Sequence, residues 1–491
     1  MSTQDEGLLQ LHNGQYILSP ELSEKMLIIK EAKPESPSYD STGYSWDEAG
    51  MADLFGEAYR NNTRYCPQTK SWYTYEGGRW RLDQGGLLVS GKIKEFVRLM
   101  WLYCGEILDE EKRTAYEKLI AKMGDRRFRD RITKDAEEVL RIEAVEFDSH
   151  PNLINCLNGT YDLNTMTFRE HRRDDFLTMQ TAFEYDWQQG AKCPRWEQFI
   201  EEVTCGDKDK ADYLQRALGY SLLGSANEEC MFILYGKTTR NGKSTLLGTI
   251  HHLLGDYASV SPVSIICKSD RAKNADSASP TLAALKGKRF VSMAESNQYG
   301  RLDEEMIKQL TGGEEISARR LYQEQTSFLP QFTLWLSCND LPSVQDKSLF
   351  ASDRVRVIEF TKHFSEAERD ETLKEAFRTP EAMMGIFTWL LKGYQKYKAQ
   401  RLKMSDRLKQ VIRKYERDND LILMFLEECC LHSAETVAGK RLYDAYKVWA
   451  RSNGYYIVTA KKFYAGIEQH PEWSEMSTKE GQPVFNNIGL R

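Results

Sequence analysis

The sequence predicts an α/β protein: a parallel sheet covered by helices, with an N-terminal α+β domain before it and a winged helix-turn-helix after it. Three observations predict this. Short apolar strands at 231–235 (MFILY), 290–294 and 332–337 (FTLWLS) alternate with helical stretches, the pattern of a sheet buried on both faces. A glycine loop stands between the first of these strands and a helix that opens at Lys243. Residues 421–491 read as three helices followed by two short strands.

The size fits such a plan, since 491 residues make about three domains at ~150 residues each. Hydrophobic residues at 41% and charged residues at 29% exclude a disordered or collagen-like chain. No apolar run approaches the ~18 residues of a membrane span, so no membrane partner is expected. The opening MSTQDE carries acids and no apolar stretch, so no secretory signal is expected either. Ten scattered cysteines include no C-x-x-C, and reduced thiols are the expectation. A net charge of −6 exerts no global pull on nucleic acid, which leaves local basic surfaces as candidates.

In chain order, residues 1–44 are weakly patterned, with Pro34 and Pro37 close together, and read as a loose arm. Residues 45–190 form the accessory α+β domain: a helix over 46–60, an aromatic hairpin over 64–82 broken at Gly77 and Gly78, helices over 92–103 and 110–123, and a second hairpin turning at Asn158-Gly159. Residues 191–228 read as a helical linker or collar, and residues 229–395 hold the parallel sheet. Residues 392–417 carry ten basic residues against two acids, so a basic linker helix is expected over 396–420; it is either a phosphate-contacting surface or a wet linker. The winged unit, 421–491, has helices over 421–431, 440–452 and 460–469. Tyr443, Tyr446 and Trp449 fall on one face of the middle helix and read as core.

The strongest chemical signal is YGKTTRNGKST, 235–245. A loop that wraps a triphosphate needs glycine where backbone N–H groups approach oxygen, a lysine to neutralise charge and a hydroxyl for Mg²⁺. Gly242, Lys243 and Ser244 supply these in order, at a helix N-terminus whose dipole favours anions. Gly236, Asn241 and Thr245 complete the candidate nucleotide-binding set. Five residues separate Gly236 from Gly242, where the usual loop has four. Downstream, RFVSMAE (289–295) is a strand ending in an acid, FTLWLSCN (332–339) a strand ending in an amide, and DRVRVIEF (353–360) places two arginines ahead of an apolar strand. Singly, each reads equally as site or surface.

Their order resembles the superfamily 3 helicases, the AAA+ branch found in phage and plasmid primase-helicases and poxvirus-type NTPases. The similar features are NGTYDL, TAFEYD, LQRALGYSLLG, the NGKST loop, the stretch 302–330, SCNDLP and SDRVRVIEF. The resemblance implies ATP and Mg²⁺ as cofactors. Lys243 and Ser244 would be the Walker A pair, Glu295 the Walker B acid, Asn339 the sensor that positions water, and Arg354 an arginine finger reaching a neighbour's ATP. Ser244 and Glu295 would hold the metal. Ala294 stands where the family often has a second acid, so metal binding and water activation both fall on Glu295. Lys308 falls in the family's B-prime motif. A homo-hexamer in the cytoplasm is implied, that of a bacterial host if the gene is phage or mobile-element encoded, with a separate primase or replication protein as partner.

Residues 315–328 (EISARRLYQEQTSF) read as strand, polar turn, strand. In the resembling family this hairpin enters the central channel and tracks single-stranded DNA. Arg319, Arg320 and Tyr322 suit phosphate contact and base stacking, although solvated hairpin arginines fit the same text. Lys461 and Lys462, on the would-be recognition helix, suit a duplex or forked DNA backbone. Residues 1–190 contain no Asp-x-Asp pair for a two-metal polymerase site, so the front domain reads as accessory rather than as a primase. The function expected is an ATP-dependent replicative DNA helicase. An ATP-gated initiator or defence assembly that binds DNA without unwinding it keeps every motif; a small-molecule kinase leaves the hairpin and the winged unit unexplained.

Overall fold

A computed structural model describes residues 9–12, 15–31, 44–186, 191–268, 279–294, 301–319, 325–344, 348–479 and 481–491. Strands β1 (Leu9–His12) and β2 (Gln15–Leu18) pair antiparallel and lead into helix α1 (Pro20–Glu31). The expected loose arm over 1–44 is therefore corrected within its described part. α1 buries Leu22, Met26 and Ile29, and Lys25 pairs with Glu95 at 3.0 Å. A stripe of three buried apolar residues on a charged helix is a weak local signal; tertiary packing, not propensity, makes this helix.

Asp47, Asp109 and Asp125 accept backbone N–H bonds at the starts of α2 (Glu48–Tyr59), α4 (Glu110–Met123) and α5 (Arg126–Val139). Between them lie β3 (Thr63–Cys66), β4 (Ser71–Glu76) and β5 (Arg79–Asp83), a three-stranded meander where a hairpin was expected, and then α3 (Leu87–Cys104). Their apolar faces close one core that runs from Leu22 to Leu140.

A second core runs from Ile154 to Tyr415. It opens with another antiparallel meander, β6 (Leu153–Cys156), β7 (Gly159–Asp162) and β8 (Thr167–Arg169), followed by α6 (Pro194–Thr204) and α7 (Lys208–Tyr220). The buried cores thus cut the chain near residue 150, not after 190, and 191–228 is not a separate linker. Arg289 shows why: it is buried and donates to the Leu222 carbonyl at 2.7 Å and the Leu153 carbonyl at 2.5 Å, riveting both segments to the sheet.

The sheet elements follow: β9 (Met231–Tyr235), α8 (Lys243–Leu254), β10 (Ala258–Val260), α9 (Pro280–Ala283), β11 (Phe290–Ala294), α10 (Glu304–Thr311), the hairpin β12 (Ile316–Arg319) and β13 (Gln325–Phe328), β14 (Thr333–Cys338), α11 (Ser348–Ala351) and β15 (Val355–Glu359). The order β10-β11-β14-β9-β15 is parallel throughout, as predicted. β9 lies between β14 and β15, and Phe232 stacks on Trp335 with ring centroids 4.4 Å apart.

After α12 (Leu373–Ala376), the long α13 (Pro380–Gln400) packs along α7, and α14 (Asp406–Asp418) buries Leu408, Ile412 and Tyr415. The basic stretch 396–420 is accordingly part of the second core rather than a linker. Several of its charges are answered within the chain, Lys396 by Asp212 at 2.8 Å and Arg407 by Asp207 at 3.0 Å.

The third core, from Ile422 to Ile488, joins α15 (Leu421–Cys429), β16 (Cys430–Ala438), α16 (Gly439–Ser452), α17 (Ala460–Glu468), β17 (Glu475–Lys479) and β18 (Gln482–Leu490). Strand β16 was not expected; 421–431 read as one helix, and the chain becomes extended at Cys430 only because it pairs with β18. Tyr446 and Trp449 are buried against Phe425, as their spacing predicted. None of the ten cysteines, all among the described residues, is in a disulfide, and burial pushes the Cys156, Cys230 and Cys430 thiols up to about 12, where they are inert. Among the described residues no helix is long and apolar enough to cross a membrane.

Candidate phosphate loop and arginine cleft

The chain leaves β9 at Gly236, which is buried between neighbouring strand ends; its N–H donates to the Cys338 carbonyl at 3.2 Å. A Cβ here would lie 2.5 Å from the Phe360 carbonyl oxygen and 2.6 Å from Asn241 Nδ2. The one-residue excess in the loop is taken up by left-handed turns at Arg240 (φ 55°) and Gly242 (φ 86°). Asn241 is buried and folds back, its Nδ2 donating to the Thr238 carbonyl at 2.5 Å. The segment following β15 ties the outer side of the loop: His363 Nδ1 donates to the Thr239 carbonyl at 2.8 Å, and the Phe364 N–H to Arg240 O at 2.9 Å. Neither tie was legible beforehand, because both span more than a hundred residues of sequence.

Lys243 opens α8 and is 4% exposed. Its Nζ donates to the Gly236 carbonyl at 3.0 Å and to Asn339 Oδ1 at 2.9 Å, so two of the expected site residues meet. Ser244 is exposed and Thr245 half-buried at the same helix start. Asn339 directly follows β14, whose register with β9 pairs Cys338 with Tyr235. Glu295, Arg320 and Tyr322 lie outside the described residues; the strand leading to Glu295 ends beside β14, Ala294 opposite Ser337. The loop fits an anionic phosphate chain: a glycine cradle that a side chain would fill, a buried ammonium and an exposed hydroxyl. Among the described residues no cluster of three His, Cys, Asp or Glu is arranged for a metal.

Arg354 and Arg356, at the start of β15, separate. Arg356 is buried, donates to the Leu402 carbonyl at 2.7 Å and faces Glu228 at 3.7 Å. Arg354, just before the strand, turns into a cleft of about 1230 Å³ between the second and third cores. Its Nη1 donates to Thr311 Oγ1 at 2.8 Å and its Nη2 to Glu229 Oε2 at 2.5 Å. The Arg354 carbonyl accepts the Met231 N–H, so Arg354 sits beside the start of β9, whereas Gly236 follows its end. Six residues of extended chain put ~20 Å between the two, further than an arginine side chain extends. Half-buried Lys308, on α10, lines the cleft, and so does Lys462 from α17.

The hairpin β12–β13 forms where expected, with Ile316 opposite Phe328 and Arg319 opposite Gln325. Ile316, Ala318 and Phe328 root it in the core, and Arg319 is exposed at its outer end. Lys461 and Lys462 are exposed on α17. The structure does not bring them to the hairpin or to the phosphate loop as one described site.

Fold and loop define the class: an α/β protein whose parallel sheet delivers a glycine loop and a buried lysine to a helix start. Comparison with known proteins narrows it. Three family models match in order along the chain: "D5 N terminal like" over 52–205, a family of unknown function (DUF5906) over 234–354, and "Poxvirus D5 protein-like" over 417–487. "Putative helicase L207/L206" of Acanthamoeba polyphaga mimivirus is 26% identical over 447 residues, covering 82% of this chain and 45% of the mimivirus protein. "Primase D5" of Fowlpox virus (strain NVSL) is 22% identical over 249 residues, covering 46% of this chain and 30% of its own length. Among solved structures, the apo C-terminal region (305–718) of NrS-1 aligns with a TM-score of 0.48 and 11% identity over 90% of this chain and 99% of that one. The resemblance to the poxvirus-type D5 group of viral helicases and primases holds, and the chain spans less than half the length of these viral relatives.

Proposed function

We propose that the chain is an ATP-dependent, ring-forming DNA helicase of the superfamily 3, AAA+ kind, serving replication of a virus or other mobile element. One observation carries the reading: Arg354 lies beside the far end of the sheet from its own phosphate loop and opens into a cleft. An arginine there serves a neighbour's nucleotide, which ties hydrolysis to assembly, and a finger of this kind is worth on the order of 10³–10⁵ in rate in characterised NTPases. Lys243, Ser244 and Thr245 would hold the phosphates of ATP, Ser244 and Glu295 would hold Mg²⁺, and Asn339 would orient the attacking water. Bound Mg²⁺ would offset charge on the phosphate oxygens. Arg319, Arg320 and Tyr322 would track single-stranded DNA through a homo-hexamer. The helix and strand order of 421–491 supports a winged helix that meets forked DNA through Lys461 and Lys462.

The test is complementation. Arg354→Ala protein should bind ATP and lose turnover, Lys243→Ala protein should bind poorly, and mixing them should restore part of the activity. An Arg354→Ala protein that hydrolyses ATP at the normal rate refutes the reading.

A second reading, an ATP-gated initiator or defence assembly, is favoured by one observation: Lys462 lines the same cleft as Arg354. DNA on the C-terminal unit and a neighbour in the cleft would then touch common walls. Strand displacement on forked DNA with ATP separates the two, since only the helicase unwinds.

A further inference from the structure

We infer that Glu229 is the positioning residue of Arg354, fixing its guanidinium in a cleft that receives a second copy of this chain; the inference rests on the role proposed for Arg354 above. Glu229 is two residues before β9 and has φ +45°, a left-handed conformation uncommon for a side chain of this kind. Such a conformation is strained and persists where surrounding structure holds it. Here the Glu229 N–H closes a turn on the Ala226 carbonyl at 2.8 Å. That turn splits two adjacent acids between two alternate arginines. Glu228 accepts from Tyr397 Oη at 3.0 Å and faces the buried Arg356, whereas Glu229 reaches Arg354 on the cleft side.

Stability does not account for the arrangement. The Arg354 side chain is 16% exposed but Glu229 is 54% exposed, and an ion pair that wet contributes little. Orientation does account for it. Thr311 Oγ1 is anchored by donating to the Ile307 carbonyl at 2.7 Å, and it accepts from Arg354 Nη1 while Glu229 accepts from Nη2. The planar fork is held at both tips, and its remaining N–H donors are left for an incoming anion. The occupant this fits is the phosphate-bearing face of a second copy. Arg354 lies too far from its own loop to reach it, and it lines a cleft open between the second and third cores, so the phosphate it meets must come from another copy.

The experiment uses the full chain, with ATP turnover measured at protein concentrations where mass photometry shows assembly complete. Glu229→Ala should lower kcat about threefold to tenfold, the loss that follows from leaving one long side chain unfixed. The KM for ATP, the assembled mass and the melting temperature should not change. Glu229→Gln keeps an acceptor for Nη2 and should restore most of kcat, which a merely structural role would not require. If Arg354→Ala is inactive but Glu229→Ala turns over normally, the positioning role falls and the arginine reading stands. If Arg354→Ala is itself fully active, both fall. Should Glu229→Ala fail to fold, Thr311→Val removes the other tip contact and must give the same kcat-selective loss; normal turnover there overturns the proposal.

Discussion

Replacing Gly236 with alanine tests whether the close approach at the end of β9 is what the phosphate loop needs. The added Cβ would stand 2.5 Å from the Phe360 carbonyl oxygen, 2.6 Å from Asn241 Nδ2 and 3.3 Å from Lys243 Nζ. The carbonyl cannot retreat easily, because the Phe360 N–H is bonded to Tyr235 O at 2.6 Å and so fixed to the neighbouring strand. The loop must therefore give way, taking Asn241 and the Lys243 ammonium with it. Overpacking of this kind costs about 1–3 kcal/mol. Carried into ligand binding, that is about a fivefold to 140-fold rise in the Kd for ATP. Gly248→Ala is the internal control: it lies on α8, nothing stands within 4 Å of its added Cβ, and alanine should stabilise the helix by ~0.5–1 kcal/mol. Calorimetric titration of both proteins with a non-hydrolysable ATP analogue, with melting curves alongside, gives the comparison. Wild-type affinity in a folded Gly236→Ala protein would refute the argument.

Three further outcomes are expected. Arg356→Ala should unfold or strongly destabilise the chain, by about 3–5 kcal/mol, because it strands the buried partners of Arg356; Arg354→Ala should leave the melting temperature near wild type, and equal melting of the two would contradict the separation drawn here. The double change Arg319→Ala with Arg320→Ala should abolish stimulation of ATP turnover by single-stranded DNA while basal turnover survives; undiminished stimulation removes these residues from the strand path. Lys461→Glu with Lys462→Glu should weaken duplex binding and reduce the slope of log affinity against log salt by about 1–2, and an unchanged slope means α17 does not meet phosphate.

The amino-acid sequence by itself determined the parallel sheet, the loop and the hairpin. Short apolar runs such as MFILY have few places to go except a sheet buried on both faces, and a glycine–lysine–serine text between strand and helix dictates its own backbone. The family of unknown function matches over 234–354, which contains that loop, while the D5-type matches lie on either side of it, over 52–205 and 417–487. Tertiary structure alone decided the rest. Arg354 and Arg356 have the same spacing from the strand's apolar residues on paper, yet Glu228 and Glu229 draw them to opposite sides, because a turn at Glu229 aims adjacent acids apart. Helix α1 and the basic α14 looked like tail and linker, since each offers only a narrow apolar stripe whose worth appears once a core is there to receive it. The meeting of Lys243 with Asn339, 96 positions apart, belongs to the same class: it depends on β9 and β14 lying side by side in register, a long-range pairing that no local pattern records.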